Sequence, residues 1–178
     1  MKRISYRRKR EGKTDYNKRL KLLKSRKPRL VIRKTNKQII IQLIKYGEEG
    51  DRVIKSVASR ELRNYGWQLS LKNIPAAYLA GYLFGKKAKT NEELIVDIGF
   101  QEKGNRIFAA VKGALDAGMN IRHNPEIFPK QSMIKGEHIQ NYFKSSQNTI
   151  QFSQYKKLNI NVSEQIEKVK NNVDKVAK

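Results

Sequence analysis

A dense cationic stretch near the N-terminus offers the most chemistry in this 178-residue sequence. Residues 6–20, YRRKREGKTDYNKRL, hold seven Lys or Arg, two Tyr and a single large aliphatic residue. Guanidinium and ammonium groups donate charge-assisted hydrogen bonds to phosphate, and tyrosine rings offer faces on which unpaired bases stack. This composition predicts contact with a polyanion rather than burial in a core.

The overall charge of the chain favours the same interpretation. Lys and Arg number 39 against 16 Asp and Glu, so the net charge is +23 and the pI is near 10.3. Residues 1–29 alone hold fourteen Lys or Arg against two acids, a net charge of +12. Such charge opposes compaction by self-repulsion and favours a polyanionic partner. Nucleic acid is the favoured partner; an anionic membrane and an uninformative lysine bias are the alternatives.

Two smaller basic groups lie further along the chain. The segment SRELRNYGW (59–67) places Arg60, Arg63 and Trp67 beside a glycine, although Trp67 could instead be a structural residue that closes a sheet edge. The segment 33–37, RKTNK, reads as a hairpin turn whose tip projects hydrogen-bond donors towards a partner. Each signal is weak by itself, and together they predict a basic tail and one basic edge.

A two-metal nuclease is the enzyme that would also explain affinity for nucleic acid. Such a site needs several carboxylates that converge at strand ends. Asp97 lies in an apolar strand pattern and Asp116 at the end of a helical pattern. The other candidate acids are scattered over segments predicted to be exposed: Glu92, Glu93, Glu126 and Glu137. Because one carboxylate does not bind two metals, we interpret Asp97 as a capping or hydrogen-bonded structural residue.

The remaining site patterns are also unfavourable for catalysis. His123 and His138 are fifteen residues apart, the chain has no cysteine, and no HExxH motif occurs, so nothing predicts a zinc site. No glycine-rich phosphate-binding loop is present. We therefore expect no catalytic residue, no metal, no cofactor and no small-molecule substrate, and both histidines are interpreted as structural.

The elements that must position the basic groups begin at Pro28. RLVIRK (29–34) and QIIIQLIKY (38–46) predict a β-hairpin, and RVIKSVAS (52–59) predicts a third antiparallel strand. The connections are short, so we expect a three-stranded meander.

Helical periodicity begins after Asn73. We expect a helix from about 75 to 89, because Asn73 and Pro75 suit a helix start. Ala77, Gly81 and Gly85 recur every four residues and leave one face almost without side chains. That face predicts a close helix–sheet contact, with an RNA backbone lying against it as the alternative.

The second half of the chain predicts a parallel crossover. ELIVDIGF (93–100) reads as a strand buried on both faces, followed by a helix over 106–117 that ends at Gly118 and by a strand MNIRH (119–123). KGEHIQNYFKSS (135–146) predicts another helix. The tail 163–178 predicts an amphipathic helix docked on the body or on a neighbour.

These elements predict an α/β fold: a mixed sheet, formed by an antiparallel meander plus a strand–helix–strand crossover, packed with helices. We divide the chain into a basic extension (1–27), an α/β core domain (28–146) and a C-terminal extension with the amphipathic helix (147–178). The basic extension has no sustained apolar period, so we expect at most one helical turn there and ordering on a partner. No secretory signal or membrane-spanning run is visible, and we expect a soluble cytoplasmic protein.

Six blocks of the sequence, in this order, resemble the archaeal-type universal large-subunit ribosomal protein number eighteen family. The resemblance covers roughly residues 4–143, and the tail fits more loosely. The blocks are YRRKREGKTDYNKRLKLLKSRKPRLVIRKTNKQIIIQ, SRELRNYGW, PAAYLAGYLFGKKA, VDIGF, RIFAAVKGALDAGMNIRH and IKGEHI.

The resemblance implies a structural protein of the large ribosomal subunit without enzymatic activity. Members of this family bind 5S rRNA and attach it to the large-subunit rRNA in the central protuberance, next to universal ribosomal protein number five. Thr35-Asn36-Lys37 would meet 5S rRNA, with Thr35 keeping the hydroxyl of the usual serine. The candidate rRNA-binding residues are Arg3, Tyr6, Arg7, Arg8, Lys9, Arg10, Lys13, Tyr16, Arg19, Lys21, Arg26, Lys27, Arg33, Thr35, Asn36, Lys37, Arg60, Arg63 and Trp67.

Overall fold

The computed structural model describes residues 4–100, 105–145 and 161–176. Its helices are α1 (Arg7–Arg10), α2 (Tyr16–Lys24), α3 (Ile74–Ala88), α4 (Asn105–Asp116), α5 (Gln131–Ile134), α6 (Glu137–Ser145) and α7 (Val162–Val176). Its strands are β1 (Arg29–Lys34), β2 (Ile39–Gly47), β3 (Gly50–Ala58) and β4 (Ile95–Asp97). Short 3₁₀ segments cover Ser59–Tyr65 and Pro125–Ile127. The predicted α/β fold with a mixed sheet is confirmed.

The four strands form one sheet in the order β3-β2-β1-β4. β1 and β3 pair antiparallel with β2, as the meander predicts. β4 pairs in parallel with β1 over three residues. Leu30, Ile32, Ile39 and Ile41 face the core and are fully buried, because alternate residues of a strand point to the same face.

The predicted crossover is shorter than expected. β4 has only three residues, and residue 121 joins the sheet through a single parallel bridge to Leu94. Ile95 and Val96 are half-buried, so the prediction of a strand buried on both faces was wrong for them. β4 lies at the end of the sheet, where one side of the strand lacks the continuous neighbour that full burial requires.

Helix α3 packs closely against helix α4 through small residues. A Cβ atom at Gly81 would lie 1.9 Å from the carbonyl oxygen of Ala110, and one at Gly113 would lie 2.0 Å from that of Tyr78. The bare face of α3 was therefore predicted correctly, but its partner is α4 rather than the sheet. Asn73 caps α3 as expected, because its side chain accepts a hydrogen bond from the amide of Ala76 at 2.8 Å.

The basic extension contains more helix than the sequence predicts. α2 runs for nine residues, whereas we expected at most one turn. Asp15 caps this helix by accepting a hydrogen bond from the amide of Lys18 at 3.0 Å, and Leu22 and Leu23 are half-buried. The cap and these two leucines are local stabilising features that the basic composition concealed.

The C-terminal helix α7 docks on the body, as its periodicity predicts. Val162, Val169 and Val173 are almost fully buried. Asn172 donates a hydrogen bond to the carbonyl of Tyr65 at 3.0 Å, and the Tyr82 hydroxyl donates one to Asp174 at 2.7 Å. Residues 147–160 and 177–178 of the predicted C-terminal extension lie outside the described residues, and the division at residues 27 and 146 remains a prediction.

Candidate nucleic-acid interface

Helix α1 presents four consecutive cations, Arg7–Arg10, and all of them are exposed. Glu11 follows the helix and forms ion pairs with Arg7 at 3.7 Å and with Lys13 at 2.8 Å. One carboxylate is too little to neutralise five neighbouring cations, so α1 keeps a high positive charge. This is the charge that a phosphate backbone would neutralise with release of counterions.

Tyr6 and Tyr16 are held together at the base of this helix. Their ring centroids lie 5.1 Å apart with a 45° tilt, within the range for an aromatic pair. Tyr6 is 72% exposed, so a large part of its ring surface is accessible. The pair offers an aromatic surface directly beside Arg7–Arg10.

Helix α2 is attached to the sheet by polar contacts from its basic side chains. The Lys18 ammonium donates a hydrogen bond to the carbonyl of Gly99 at 2.8 Å. Arg19 donates to Asp51 at 2.8 Å. Both contacts join residues far apart in sequence, and they fix the position of α2 and of the preceding basic turn relative to the core.

Asp51, the partner of Arg19, also pairs with a buried arginine. Arg29 is only 2% exposed and donates to the second oxygen of Asp51 at 2.6 Å, while Asp97 lies 3.7 Å away. Burial acts to raise the pKa of the Asp51 carboxyl, but the hydrogen bonds from Arg29 and Arg19 outweigh it and hold this pKa below its ordinary value. Arg29 was not among the candidate residues, because it follows Lys24, Arg26 and Lys27 and nothing local distinguishes it from these neighbouring cations.

Asp97 has the structural role that the sequence favours. Its Oδ1 accepts hydrogen bonds from Arg33 and from the amide of Gly99, both at 3.0 Å. Arg33 also donates to the carbonyl of Asp97 at 2.7 Å. Among the described residues, no three His, Asp or Glu side chains are grouped as a metal site would require.

Besides Arg7 and Lys13, which pair with Glu11, three further candidate cations form ion pairs within the protein. Arg19 pairs with Asp51, Arg33 with Asp97, and Lys27 with Glu93. The hydrogen bond from Lys27 lowers the pKa of the Glu93 carboxyl. Arg33 remains 45% exposed and Lys27 43%, so both retain accessible surface for a second anion.

The second and third basic groups of the sequence meet across one open groove of about 860 Å³. One wall is the hairpin turn Thr35–Gln38, and the other contains Arg60, Arg63 and residues 69–72. The Thr35 hydroxyl accepts a hydrogen bond from the amide of Gln38 at 3.0 Å, which closes the turn. Lys72 also lines this groove and was not among the candidate residues.

A separate groove of about 400 Å³ lies between the basic extension and the edge of the sheet. We call it the extension groove. It contains Arg8, Lys13, Arg33, Lys34 and Phe100. Since residues 33–34 line this groove and residues 35–38 line the other, the β1–β2 hairpin lies between two basic concave surfaces.

Trp67 does not belong to this interface. Its side chain is 1% exposed within the main core, and its Nε1 donates a hydrogen bond to the carbonyl of Ser70 at 3.1 Å. The candidate assignment of Trp67 to RNA binding is corrected, because a buried ring offers no face for stacking. The structural alternative considered for this residue is the one that its burial supports.

The structure describes all of the remaining candidate residues except Arg3. Lys9, Arg10, Lys21, Arg26, Asn36 and Lys37 are exposed. Arg3 lies outside the described residues.

His123, interpreted as structural, makes a hydrogen bond between its Nδ1 and the carbonyl of Ile121 at 2.8 Å. The helices of the described ranges include no segment long and apolar enough to cross a bilayer.

Comparison with known proteins decides the family. Residues 2–95 match the family model described as "Ribosomal large subunit proteins 60S L5, and 50S L18". Large ribosomal subunit protein uL18 of Korarchaeum cryptofilum is 54% identical over 143 residues, which are 78% of this chain and 73% of that protein. The chain belongs to the uL18 family.

Two further uL18 proteins are similar over most of their length. The protein of Methanothrix thermoacetophila is 52% identical over 144 residues, covering 79% of this chain and 85% of the relative. The protein of Methanosphaera stadtmanae is 45% identical over 181 aligned positions, covering 96% and 94%. The resemblance to the archaeal type is confirmed. As a uL18 protein the chain is a non-enzymatic constituent of the large ribosomal subunit and works in the cytoplasm as part of the ribosome.

Proposed function

We propose that this uL18 protein binds 5S rRNA and attaches it to the large-subunit rRNA in the central protuberance, beside universal ribosomal protein number five. The observation that carries the proposal is the continuity of the basic surface. It runs from α1 through the extension groove and the hairpin turn to the groove that contains Arg60 and Arg63.

The concave shape of this surface, with two grooves on either side of the β1–β2 hairpin, favours structured RNA over a plain duplex. Folded RNA presents unpaired bases and closely spaced phosphates, which grooves and exposed aromatic rings can contact. The choice of 5S rRNA follows from the resemblance of the six sequence blocks to proteins that bind this RNA. The candidate residues, apart from Trp67, form the proposed interface.

Recovery of bound RNA from cells tests this function. The full-length protein, tagged at its N-terminus and expressed in a related archaeal host, is isolated from extract, and the bound RNA is sized. We expect large-subunit particles at low salt and, after the particles are dissociated, a single small species that co-migrates with 5S rRNA. Recovery of the protein without that RNA would contradict the proposal.

A generic basic module is the competing function, and an affinity comparison separates the two. We expect the purified protein to bind 5S rRNA much more tightly than a DNA duplex of equal length at about 0.2 M salt, where nonspecific electrostatic binding is weak. Equal affinities would favour the generic module. Addition of universal ribosomal protein number five and a large-subunit rRNA fragment then tests whether the complex bridges the two RNAs.

A further inference from the structure

The extension groove combines a limited volume with a high positive charge. Its volume of about 400 Å³ lies at the lower end of the range for pockets that hold a small ligand, about 300–1,000 Å³. A groove of this size accommodates one nucleotide and is too small for a duplex. Six cations and two acids line it, a net charge of +4.

Both acids of the groove are already engaged by protein donors. Asp15 accepts the amide of Lys18, and Asp97 accepts hydrogen bonds from Arg33 and from the amide of Gly99. Three of the six cations are not paired with a carboxylate. Lys18 donates to the carbonyl of Gly99 at 2.8 Å, Arg8 donates to the hydroxyl of Thr14 at 2.9 Å, and no ion pair of Lys34 is found within the described ranges. Arg8 and Lys34 therefore remain available for a phosphate group.

Phe100 supplies a flat apolar surface in this charged groove. Its side chain is 56% exposed, although a phenylalanine ring is normally buried. In the parts of the chain that the structure describes, no aromatic or cation–π contact involves this ring. An exposed aromatic ring beside several cations is the combination with which proteins bind unpaired nucleotides, by stacking the base and pairing the phosphate.

The backbone that carries Phe100 is held in a defined conformation. Gly99 has a φ of +67°, in the left-handed region that favours glycine. Its amide donates to Asp97 at 3.0 Å and its carbonyl accepts from Lys18 at 2.8 Å. These two hydrogen bonds connect the position of Phe100 to both walls of the groove, the strand β4 and the helix α2.

We infer that the extension groove receives one unpaired nucleotide of the bound RNA, with its base stacked on Phe100 and its phosphate bound by Arg8 and Lys34. This inference rests on the proposed function, because the nucleotide belongs to the RNA that the basic surface binds. The inference gives Phe100, which follows β4, a role in the recognition of an unpaired base that electrostatic attraction alone does not provide.

Substitution of Phe100 separates stacking from general apolar contact. Binding of 5S rRNA is measured for the full chain and for Phe100→Ala, Phe100→Leu and Phe100→Tyr at one salt concentration. We expect about tenfold weaker binding for the Ala and Leu variants, since the loss of one base–aromatic stack lowers affinity by roughly fivefold to more than a hundredfold. Binding of the Tyr variant should stay within about twofold of the unchanged protein. The slope of log affinity against log salt should not change, because loss of stacking releases no counterion.

Matched controls make each outcome decisive. Tyr46→Ala removes an aromatic ring of similar exposure, 58%, that does not line the extension groove, and it should bind as the unchanged protein does. Lys34→Gln should instead reduce the salt slope by about one. Thermal unfolding confirms that each variant is folded.

The results that would overturn the inference are equally defined. Unchanged affinity of Phe100→Ala, or full retention by Phe100→Leu, would show that no base stacks on this ring. Ultraviolet cross-linking of the unchanged protein to 5S rRNA should give a nucleotide adduct on the peptide that contains Phe100, and adducts confined to other peptides would also contradict the inference. If the unchanged protein does not bind 5S rRNA, the proposed function itself fails.

Discussion

Arg29 donates a 2.6 Å hydrogen bond to Asp51 from a side chain that is only 2% exposed, and Asp51 accepts a second one from Arg19. One carboxylate thus joins the first residue of β1 to the basic helix α2. A buried cation is stable only with such a partner, because the cost of removing it from water is otherwise uncompensated. The position of the basic extension therefore depends on an acid at the start of β3.

We predict that Asp51→Asn destabilises the fold by about 3 kcal/mol, because Arg29 loses its nearest counter-charge. The pKa of Asp51 is lowered in the folded protein, so its stabilising contribution is complete above the pKa of the unfolded chain, about 3.9, and is lost as the pH falls through the folded pKa. Urea unfolding at several pH values below about pH 4 should show this loss in the unchanged protein and a flatter profile in the variant.

Glu49→Gln is the control for this prediction. Glu49 is an exposed acid two residues from Asp51, and its substitution removes the same charge from the same hairpin. Its free energy of unfolding should change by less than about 0.5 kcal/mol. Equal effects of the two substitutions would mean that net charge, and not the ion pair with the buried Arg29, determines the stability.

The cations of α1 should dominate the salt dependence of RNA binding. Replacement of Arg7, Arg8, Lys9 and Arg10 by Gln is expected to reduce the salt slope by about 3, at roughly 0.7–0.9 per phosphate contact. Removal of the whole segment 1–29 would be a poor test, because it also deletes Arg29 and the start of β1. Replacement of Lys130, Lys135, Lys168 and Lys175, which are exposed and lie outside the proposed interface, is the matched control and should leave most of the slope intact.

Gly81→Ala should be among the most destabilising small substitutions in the chain. The added Cβ would lie 1.9 Å from the backbone oxygen of Ala110, so helices α3 and α4 must move apart. We expect a loss of about 3 kcal/mol or more. Gly85→Ala should cost less, because the nearest atom, 2.5 Å away, belongs to the side chain of Ala117. Chemical denaturation of both variants measures the difference, and a reversed order would contradict the described helix contact.

Trp67→Phe should affect stability and leave RNA affinity unchanged. The substitution creates a cavity in the core and removes the hydrogen bond to the carbonyl of Ser70, so we expect a loss of about 2 kcal/mol. Titration with 5S rRNA at a temperature at which the variant is folded should give an affinity within about twofold of the unchanged protein. Arg63→Gln, on the exposed wall of the nearby groove, should weaken binding instead.

Local elements were predictable because short sequence patterns determine them. Asn73 before Ile74-Pro75 indicates a helix start, and Gly118, with a φ of +98°, ends α4 as its position predicts. The hairpin around Thr35 follows from two apolar runs separated by a polar turn. The charge pattern is also local, and the nucleic-acid interface that it indicates stays a prediction.

Contacts between distant segments were not predictable in this way. Periodicity shows that one face of α3 is bare, but it does not show whether the sheet or α4 covers that face. Composition likewise counts cations without showing which ones a carboxylate neutralises. Arg19 and Asp51 are 32 residues apart, and nothing local to either residue indicates their pairing. The exposure of Phe100 is also a tertiary property, since its block reads as an ordinary buried strand.

Helix α7 is hydrogen-bonded to the end of the 3₁₀ segment Ser59–Tyr65. Asn172 donates to the carbonyl of Tyr65 at 3.0 Å, and Gln165 donates to the carbonyl of the next residue, Gly66, at 3.3 Å. Arg60 and Arg63 belong to the same segment and line the groove for which we propose RNA binding. We therefore expect proteolytic cleavage or a bulky fusion at the C-terminus to weaken RNA binding, although no residue of 161–176 lines either of the two basic grooves. A purification tag at the N-terminus needs a linker long enough to keep the tag away from the cations of the basic extension.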